Sequence, residues 1–268
     1  MSPAKNLRVS FIQSSLHWER PDLNKSSFDE HIARLPATDI IVLPEMFTTG
    51  FTMNTALAEE MSGPSVAWMQ DHASKKQSVV VGSLIIKDGG SFFNRLIWAD
   101  PSGSINTYDK RHLFSFADED AHFSEGTERR IVQYKGWRIC PLICYDLRFP
   151  VWSRNHATNA GLDETVFDLL IYIANWPKAR RQPWMNLLEA RAHENQVYVV
   201  GVNRIGIDGK DIEYSGDSRV ISPRGLRLDD CAESKLSIET IELDWNNLER
   251  FREKFPVGRD RDRFDLVD

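Results

Sequence analysis

The apolar positions of this chain follow two rhythms. Ile40 to Leu43, Ser78 to Ile86, Asp168 to Ala174 and Val197 to Asn203 are short, nearly unbroken apolar runs. Runs of this length predict strands buried on both faces. Leu7 to Gln13 alternates and predicts an opening strand. Between the runs the spacing loosens. Leu23, Phe28, Ile32 and Leu35 predict a helix within 21–35, and Pro64 suits the first turn of a helix across 63–76. Further helices are predicted over Val151–Ala160, Trp184–Gln196 and Trp245–Lys254. A strand over 92–99 turns at Asp100-Pro-Ser-Gly103 and returns toward Lys110, and late strands are expected at Ser218–Ile221 and Leu236–Leu243. Strands alternate with helices over the first two thirds, which predicts layered α/β packing. No repeat, low-complexity tract or linker interrupts the chain, so residues 1–268 are read as one domain, with about 246–268 as a helix and extension.

Three segments break the pattern with chemistry. In Gly136 to Pro150 an apolar run ends abruptly at Cys144-Tyr-Asp-Leu-Arg. A sulfur there sits at the bend between a buried strand and a turn, where it can act as a nucleophile once ionised. It can equally be a small buried hydrophobe. In Leu43-Pro-Glu45-Met-Phe, Pro44 cannot donate to a sheet, so Glu45 falls just past a strand end among Met46, Phe47 and Phe51. A carboxyl in apolar surroundings is expected to exchange protons near neutral pH. Lys110, leading into Arg111-His-Leu-Phe, reads by itself as surface charge.

Taken in order and context, Glu45, Lys110 and Cys144 resemble the Glu–Lys–Cys triad of the nitrilase superfamily of carbon–nitrogen hydrolases. The matching stretches are Leu-Pro-Glu-Met-Phe (43–47), Tyr-Asp-Lys-Arg-His-Leu-Phe (108–114) and Ile-Cys-Tyr-Asp-Leu-Arg-Phe-Pro (143–150). Similarity continues through residues 172–177, 189–198 and 214–218. Within the superfamily the chain is similar to the bacterial omega-amidase branch, which hydrolyses the terminal amide of 2-oxoglutaramate-like acids. The resemblance implies a four-layer α-β-β-α sandwich, commonly a homodimer. It implies attack by Cys144, proton shuttling by Glu45 and charge stabilisation by Lys110 with the backbone N–H of Tyr145. It also implies a second glutamate supporting the lysine: Glu119, with Asp118 or Glu125 as alternatives. No metal or organic cofactor is required. For the carboxylate of such a substrate, guanidinium forks are the natural partners. Arg148 near the nucleophile and Lys178, Arg180 and Arg181 after Asn175-Trp-Pro are the candidates, with Trp176 as a pocket wall.

Composition is ordinary for a globular protein, with 41% apolar and 27% charged residues. The net charge of −6 offers no pull toward nucleic acid or anionic lipid, so an anionic substrate needs local cations. Three cysteines make no disulfide framework, and no apolar run suits a membrane span, so a cytoplasmic protein is expected. Cys140 and Cys144 lack the second close pair that structural zinc needs, and Cys231 sits in a polar stretch where it has no evident role. Ser218 is expected to be structural, as is His193-Glu194 on its helix. The alternating charges from Arg259 suggest a tail that frays or caps a neighbouring subunit. Two other readings stand beside the omega-amidase: a nitrilase or N-carbamoyl hydrolase with the same triad, and a non-catalytic scaffold that kept the fold.

Overall fold

The computed structural model describes residues 6–155 and 165–262. Its elements in chain order are β1 (Leu7–Gln13), α1 (Pro21–Ala33), β2 (Ile40–Val42), α2 (Pro64–Lys76), β3 (Val79–Asp88), β4 (Ser91–Ala99) and β5 (Ile105–Asp109). They continue with the single-turn α3 (Glu119–His122), β6 (Val132–Tyr134), β7 (Trp137–Ile143), β8 (Leu169–Ala174), α4 (Arg181–Asn195) and β9 (Tyr198–Asn203). The chain closes with β10 (Ile205–Ile207), β11 (Glu213–Ser215), β12 (Arg219–Ile221), β13 (Ser237–Leu243) and α5 (Trp245–Lys254).

Two sheets face each other. One runs β13-β1-β2-β3-β4-β5 and the other β12-β9-β8-β7-β6. Helical crossovers α1, α2 and α4 make β1-β2-β3 and β8-β9 parallel, and hairpins or returns add antiparallel edges. Alternation inside the continuous apolar runs explains why both faces are covered. Ile40, Val42, Val79 and Val81 point into the cluster shared with β7, β8 and β9, where Ile139, Ile171 and Val200 lie. Ile41, Val80 and Leu43 point the other way, onto Phe28 and Ile32 of α1 and Val66 and Met69 of α2. Trp184, Leu188 and Ala192 of α4 cover the outer face of the second sheet. The layers are therefore α-β-β-α.

Most elements fall where the pattern put them, including the helix starts at Pro21 and Pro64. Differences have local causes. The helix expected over Val151–Ala160 is a turn at 151–153, and 156–160 lie outside the described residues. Helix α4 begins three residues early because Arg181 to Pro183 complete its first turn. The β10–β11 hairpin was not foreseen, since three-residue strands carry little periodicity. The first part of the tail is docked, not frayed: Arg261 donates to the carbonyls of Gly258 and Asn155, and 263–268 lie outside the described residues.

Helix α5 is tied down by charge as well as packing. Trp245 meets Trp137 edge-on at 5.1 Å, and Leu248 is buried in the central cluster. Arg252 donates to Asp168 at 2.7 Å, and Arg138 reaches the same carboxylate at 2.7 and 2.9 Å. Burial alone would raise the Asp168 carboxyl, but Arg138 and Arg252 more than offset it and hold it below the usual carboxylate range. A carboxyl depressed in the folded state stabilises the fold above its unfolded value, near pH 3.9, and that contribution is lost as pH falls through the folded value. Asp168→Asn should lower the unfolding free energy in urea by about 3 kcal/mol at pH 7, with a smaller difference at pH 3. Equal stability of the two proteins at pH 7 would show that α5 is held by packing alone.

Candidate active site

Four loops at strand ends deliver the polar cluster. After β2, the Leu43 N–H still pairs with the Val81 carbonyl at 2.8 Å, and Pro44 then ends the ladder. Met46 turns the chain with a φ of 43°, and its N–H donates to Ser83 Oγ at 2.8 Å. Phe47 drops onto β3 at Gly82, where a Cβ would stand 2.8 Å from its ring. Glu45 is thereby fixed inward and fully buried. Lys110 follows β5, its N–H held by the Asn94 carbonyl at 3.1 Å and its carbonyl by Gly126 N–H at 2.9 Å. Glu119 opens α3, and Cys144 opens the 3-10 turn Cys144–Arg148 with a φ of 42°. With Asp118 at a φ of 60° beside Glu119, three non-glycine residues in the left-handed region stand at or beside polar members of the cluster, the kind of local strain that functional sites hold.

The charged groups meet out of water. Lys110 Nζ lies 2.8 Å from Glu45 Oε1, and 3.0 and 2.8 Å from the two oxygens of Glu119. Glu119 also accepts from the Phe114 N–H at 2.7 Å. Asn94 Nδ2 donates to Glu45 at 2.8 Å and to Glu119 at 3.1 Å. The Asn175 N–H donates to Glu45 Oε2 at 2.8 Å, and its Nδ2 donates to the Glu45 carbonyl at 2.6 Å. Among the acidic alternatives, Asp118 is exposed, and Glu125 is 61% exposed and faces Arg111. Only Glu119 reaches the lysine.

Electrostatics assign protons. Burial by itself would lower the Lys110 ammonium, but Glu119 and Glu45 more than offset it, so the lysine stays charged. Burial pushes the Glu119 carboxyl up, against the pull of Lys110. Cys144 is pushed well above the usual thiol range by burial first and by Glu45 next; Lys110 and the Asn175 N–H pull the other way. The sulfur therefore lies within the field of all three charged groups and keeps its proton at rest. A preformed thiolate, helped by local positive charge, is not what this site holds. A thiol held in this state can act as a nucleophile only with a base to take its proton.

The nucleophile turn is braced from behind. Asp146 accepts from the Ile143 N–H at 3.0 Å, Tyr108 Oη at 2.7 Å and the His112 N–H at 3.0 Å, with His112 Nδ1 at 2.8 Å. Arg191 Nη2 holds the Leu147 carbonyl at 2.7 Å. His112 stacks on Phe149 at 3.7 Å. Asp146, Asn94 and Asn175 were missed as site residues. A lone Asn inside the apolar strand Phe92-Phe-Asn-Arg-Leu-Ile was the available signal.

The predicted pocket cations divide. Lys178 pairs with Glu213 at 2.6 Å, and Arg181 with Asp217 at 2.5 Å and Glu233 at 3.0 Å. Among the described residues Arg148 and Arg180 have no carboxylate partner. Arg148 lies over the Trp176 ring at 4.9 Å, and Arg180 over Phe114 and Phe116 at 5.4 and 5.1 Å. Trp176 is buried and its Nε1 donates to the Arg180 carbonyl at 2.7 Å, so one indole bridges both arginine residues. Tyr145 is half-buried, edge-on to Phe114 at 4.9 Å and to Phe149 at 5.2 Å. Cys231 lies apart from this cluster and, contrary to its polar setting in the sequence, is buried.

An α-β-β-α sandwich with these strand-end loops is the architecture of the nitrilase superfamily. A structure from Xanthomonas campestris, XC1258, described as a CN-hydrolase superfamily protein with an arsenic adduct in the active site, superposes with a TM-score of 0.94 at 40% identity, covering 98% of this chain and 99% of that one. The carbon-nitrogen hydrolase family model matches residues 12–253, and the chain belongs to that family. Omega-amidase YafV of Escherichia coli K12 is 42% identical over 97% of this chain and 98% of its own length. A 2-oxoglutaramate amidase of Bacillus subtilis is 32% identical over 94% and 96%. The chain is thus a carbon–nitrogen hydrolase of the amide-cleaving kind.

Because Asp146 carries the turn, Asp146→Ala should cost about 3 kcal/mol in urea unfolding. An unchanged midpoint and slope would mean that the Cys144 turn is held by its aromatic packing.

Proposed function

We propose that this enzyme is an omega-amidase that converts a 2-oxo dicarboxylic acid monoamide, 2-oxoglutaramate or 2-oxosuccinamate, to the dicarboxylate and ammonia. The observation that carries the reading is the contact of Lys110 with both Glu45 and Glu119 in the electrostatic reach of Cys144. The relatives' names supply the substrate class. Cys144 Sγ attacks the amide carbonyl while Glu45 takes the thiol proton. The C–S bond forms, and the carbonyl π electrons move to oxygen. Lys110 Nζ and the Tyr145 N–H stabilise that oxyanion, a contribution of about 3 kcal/mol per donor. Glu45 returns the proton to nitrogen, the C–N bond breaks, and ammonia leaves behind a thioester. Glu45 then deprotonates water, which adds to the thioester carbonyl. Collapse expels the Cys144 sulfur, which regains its proton, and the acid is released.

Glu119 acts on Lys110 throughout, keeping it charged and aimed. The 2-oxo acid end carries a carboxylate, and of the predicted cations Arg148, over the Trp176 ring, and Arg180, over Phe114 and Phe116, are left to meet it. Lys178 and Arg181 already have carboxylate partners.

Cys144→Ala should abolish ammonia release with the circular-dichroism spectrum retained; continued turnover in that variant would end the thiol mechanism. Glu45→Gln should lower kcat about 10³-fold, and near-normal rates would remove it as the proton shuttle. Arg180→Ala should raise KM for 2-oxoglutaramate at least about tenfold while leaving a carboxylate-free aliphatic amide little changed. Equal losses on both substrates would take Arg180 out of substrate binding, and turnover of nitriles by the native enzyme would favour a nitrilase.

A further inference from the structure

Asn94 occupies a position that the triad chemistry does not explain. It sits in the middle of β4, opposite Ile85 of β3, and is fully buried. Its backbone carbonyl holds the Lys110 N–H at 3.1 Å. Its side-chain nitrogen contacts both carboxylates that share the lysine, Glu45 Oε1 at 2.8 Å and Glu119 Oε1 at 3.1 Å. Both amide hydrogens are spent on anions. The cost is visible on the other atom, since Asn94 Oδ1 is buried without a hydrogen-bond partner. A buried orphan acceptor is unfavourable. Flipping the amide would be worse, because it would set an oxygen against two carboxylates. The orientation is therefore dictated by the anions.

Two carboxylates on one ammonium, out of water, carry a surplus negative charge. Such a pair ordinarily relieves it by retaining a proton. A retained proton on Glu45 would leave Cys144 with no acceptor. A neutral double donor relieves the surplus differently: it favours the charged form of both acids, and it cannot itself titrate. Resting on the proposed roles of Glu45, Lys110 and Cys144, we propose that Asn94 is a positioning residue that keeps Glu45 and Glu119 ionised together, so that Glu45 is free to accept the Cys144 proton. The titratable groups facing this point are Glu45 after β2, Lys110 after β5, Glu119 of α3 and Cys144 after β7. Tyr214 of β11 lies within the field of Cys144.

The test reads the thiol directly and needs no amide substrate. Iodoacetamide alkylates Cys144 by forming a C–S bond as the C–I bond breaks; iodide leaves and the thiol proton passes to Glu45. The rate of carbamidomethylation at Cys144 is followed by peptide mass spectrometry from pH 5 to 9, which separates it from Cys140 and Cys231. In Asn94→Ala the acid limb should move up by about one pH unit. The rate at pH 6 should fall about tenfold, and the rates should converge by pH 9. Asn94→Ser, which keeps one donor, should shift by less. Asn94→Asp, which turns the donor into an acceptor, should be slower than Asn94→Ala at pH 7. An unshifted limb in Asn94→Ala, or a uniform loss at every pH, overturns the proposal. So does loss of the fold in both Asn94→Ala and Asn94→Ser, which would assign the residue to packing of β4. If Cys144 of the native enzyme reacts like an ordinary thiol, its rate rising only toward the thiol's own ionisation at about pH 8.5, the base-assisted cysteine reading itself fails. That outcome is distinct from a native limb that Asn94→Ala leaves in place.

Discussion

The buried ammonium of Lys110 is the interaction on which the site depends. Taking an ammonium and two carboxylates out of water costs several kcal/mol per ion, and their attraction repays this only with close, saturated contacts. The contacts are close: every charged oxygen of Glu119 and one of Glu45 lies within 3.0 Å of Lys110 Nζ. Asn94, Asn175 and the Phe114 N–H supply further donors. Such a cluster is poor value for stability alone, since well-packed apolar side chains would serve the fold as well. It makes sense as a device that sets protons and charge beside Cys144.

That device needs rigid mounting, and the mounts are strand ends from both sheets. Glu45 and Lys110 come from the first sheet; Cys144 and Asn175 come from the second. Their mutual distances are thus set by how the sheets pack, through the cluster that includes Val42, Val81, Ile143 and Ile173. The sharp turns at Met46 and Cys144, both with positive φ, aim the two chain segments at one point. Asp146, tied to Tyr108 and His112, links the Cys144 turn to the segment around Lys110, so the nucleophile and the lysine are braced by one carboxylate.

Charge is also distributed by exclusion. The residues after Asn175 bring several cations together, but Glu213, Asp217 and Glu233 claim Lys178 and Arg181. Arg148 and Arg180 remain, arrayed on aromatic faces. A negatively charged protein thereby keeps two guanidinium groups that no carboxylate among the described residues neutralises.

The sequence by itself determined most strands and most helices, because a strand buried on both faces is apolar at nearly every position and proline marks a helix start. It also singled out Glu45 and Cys144, where apolar runs give way to a reactive side chain, while Lys110 and Glu119 drew notice only through the resemblance of the motifs. Tertiary structure alone decided the rest. Which acid of Asp118-Glu-Asp reaches the lysine depends on the αL turn at Asp118, which sends Glu119 inward. Which arginine residues stay unpaired depends on carboxylates more than thirty residues away. The roles of Asn94, Asn175 and Asp146 were invisible for the same reason: a side chain's hydrogen-bond partners across two sheets are a property of packing, and local residue order carries no record of them.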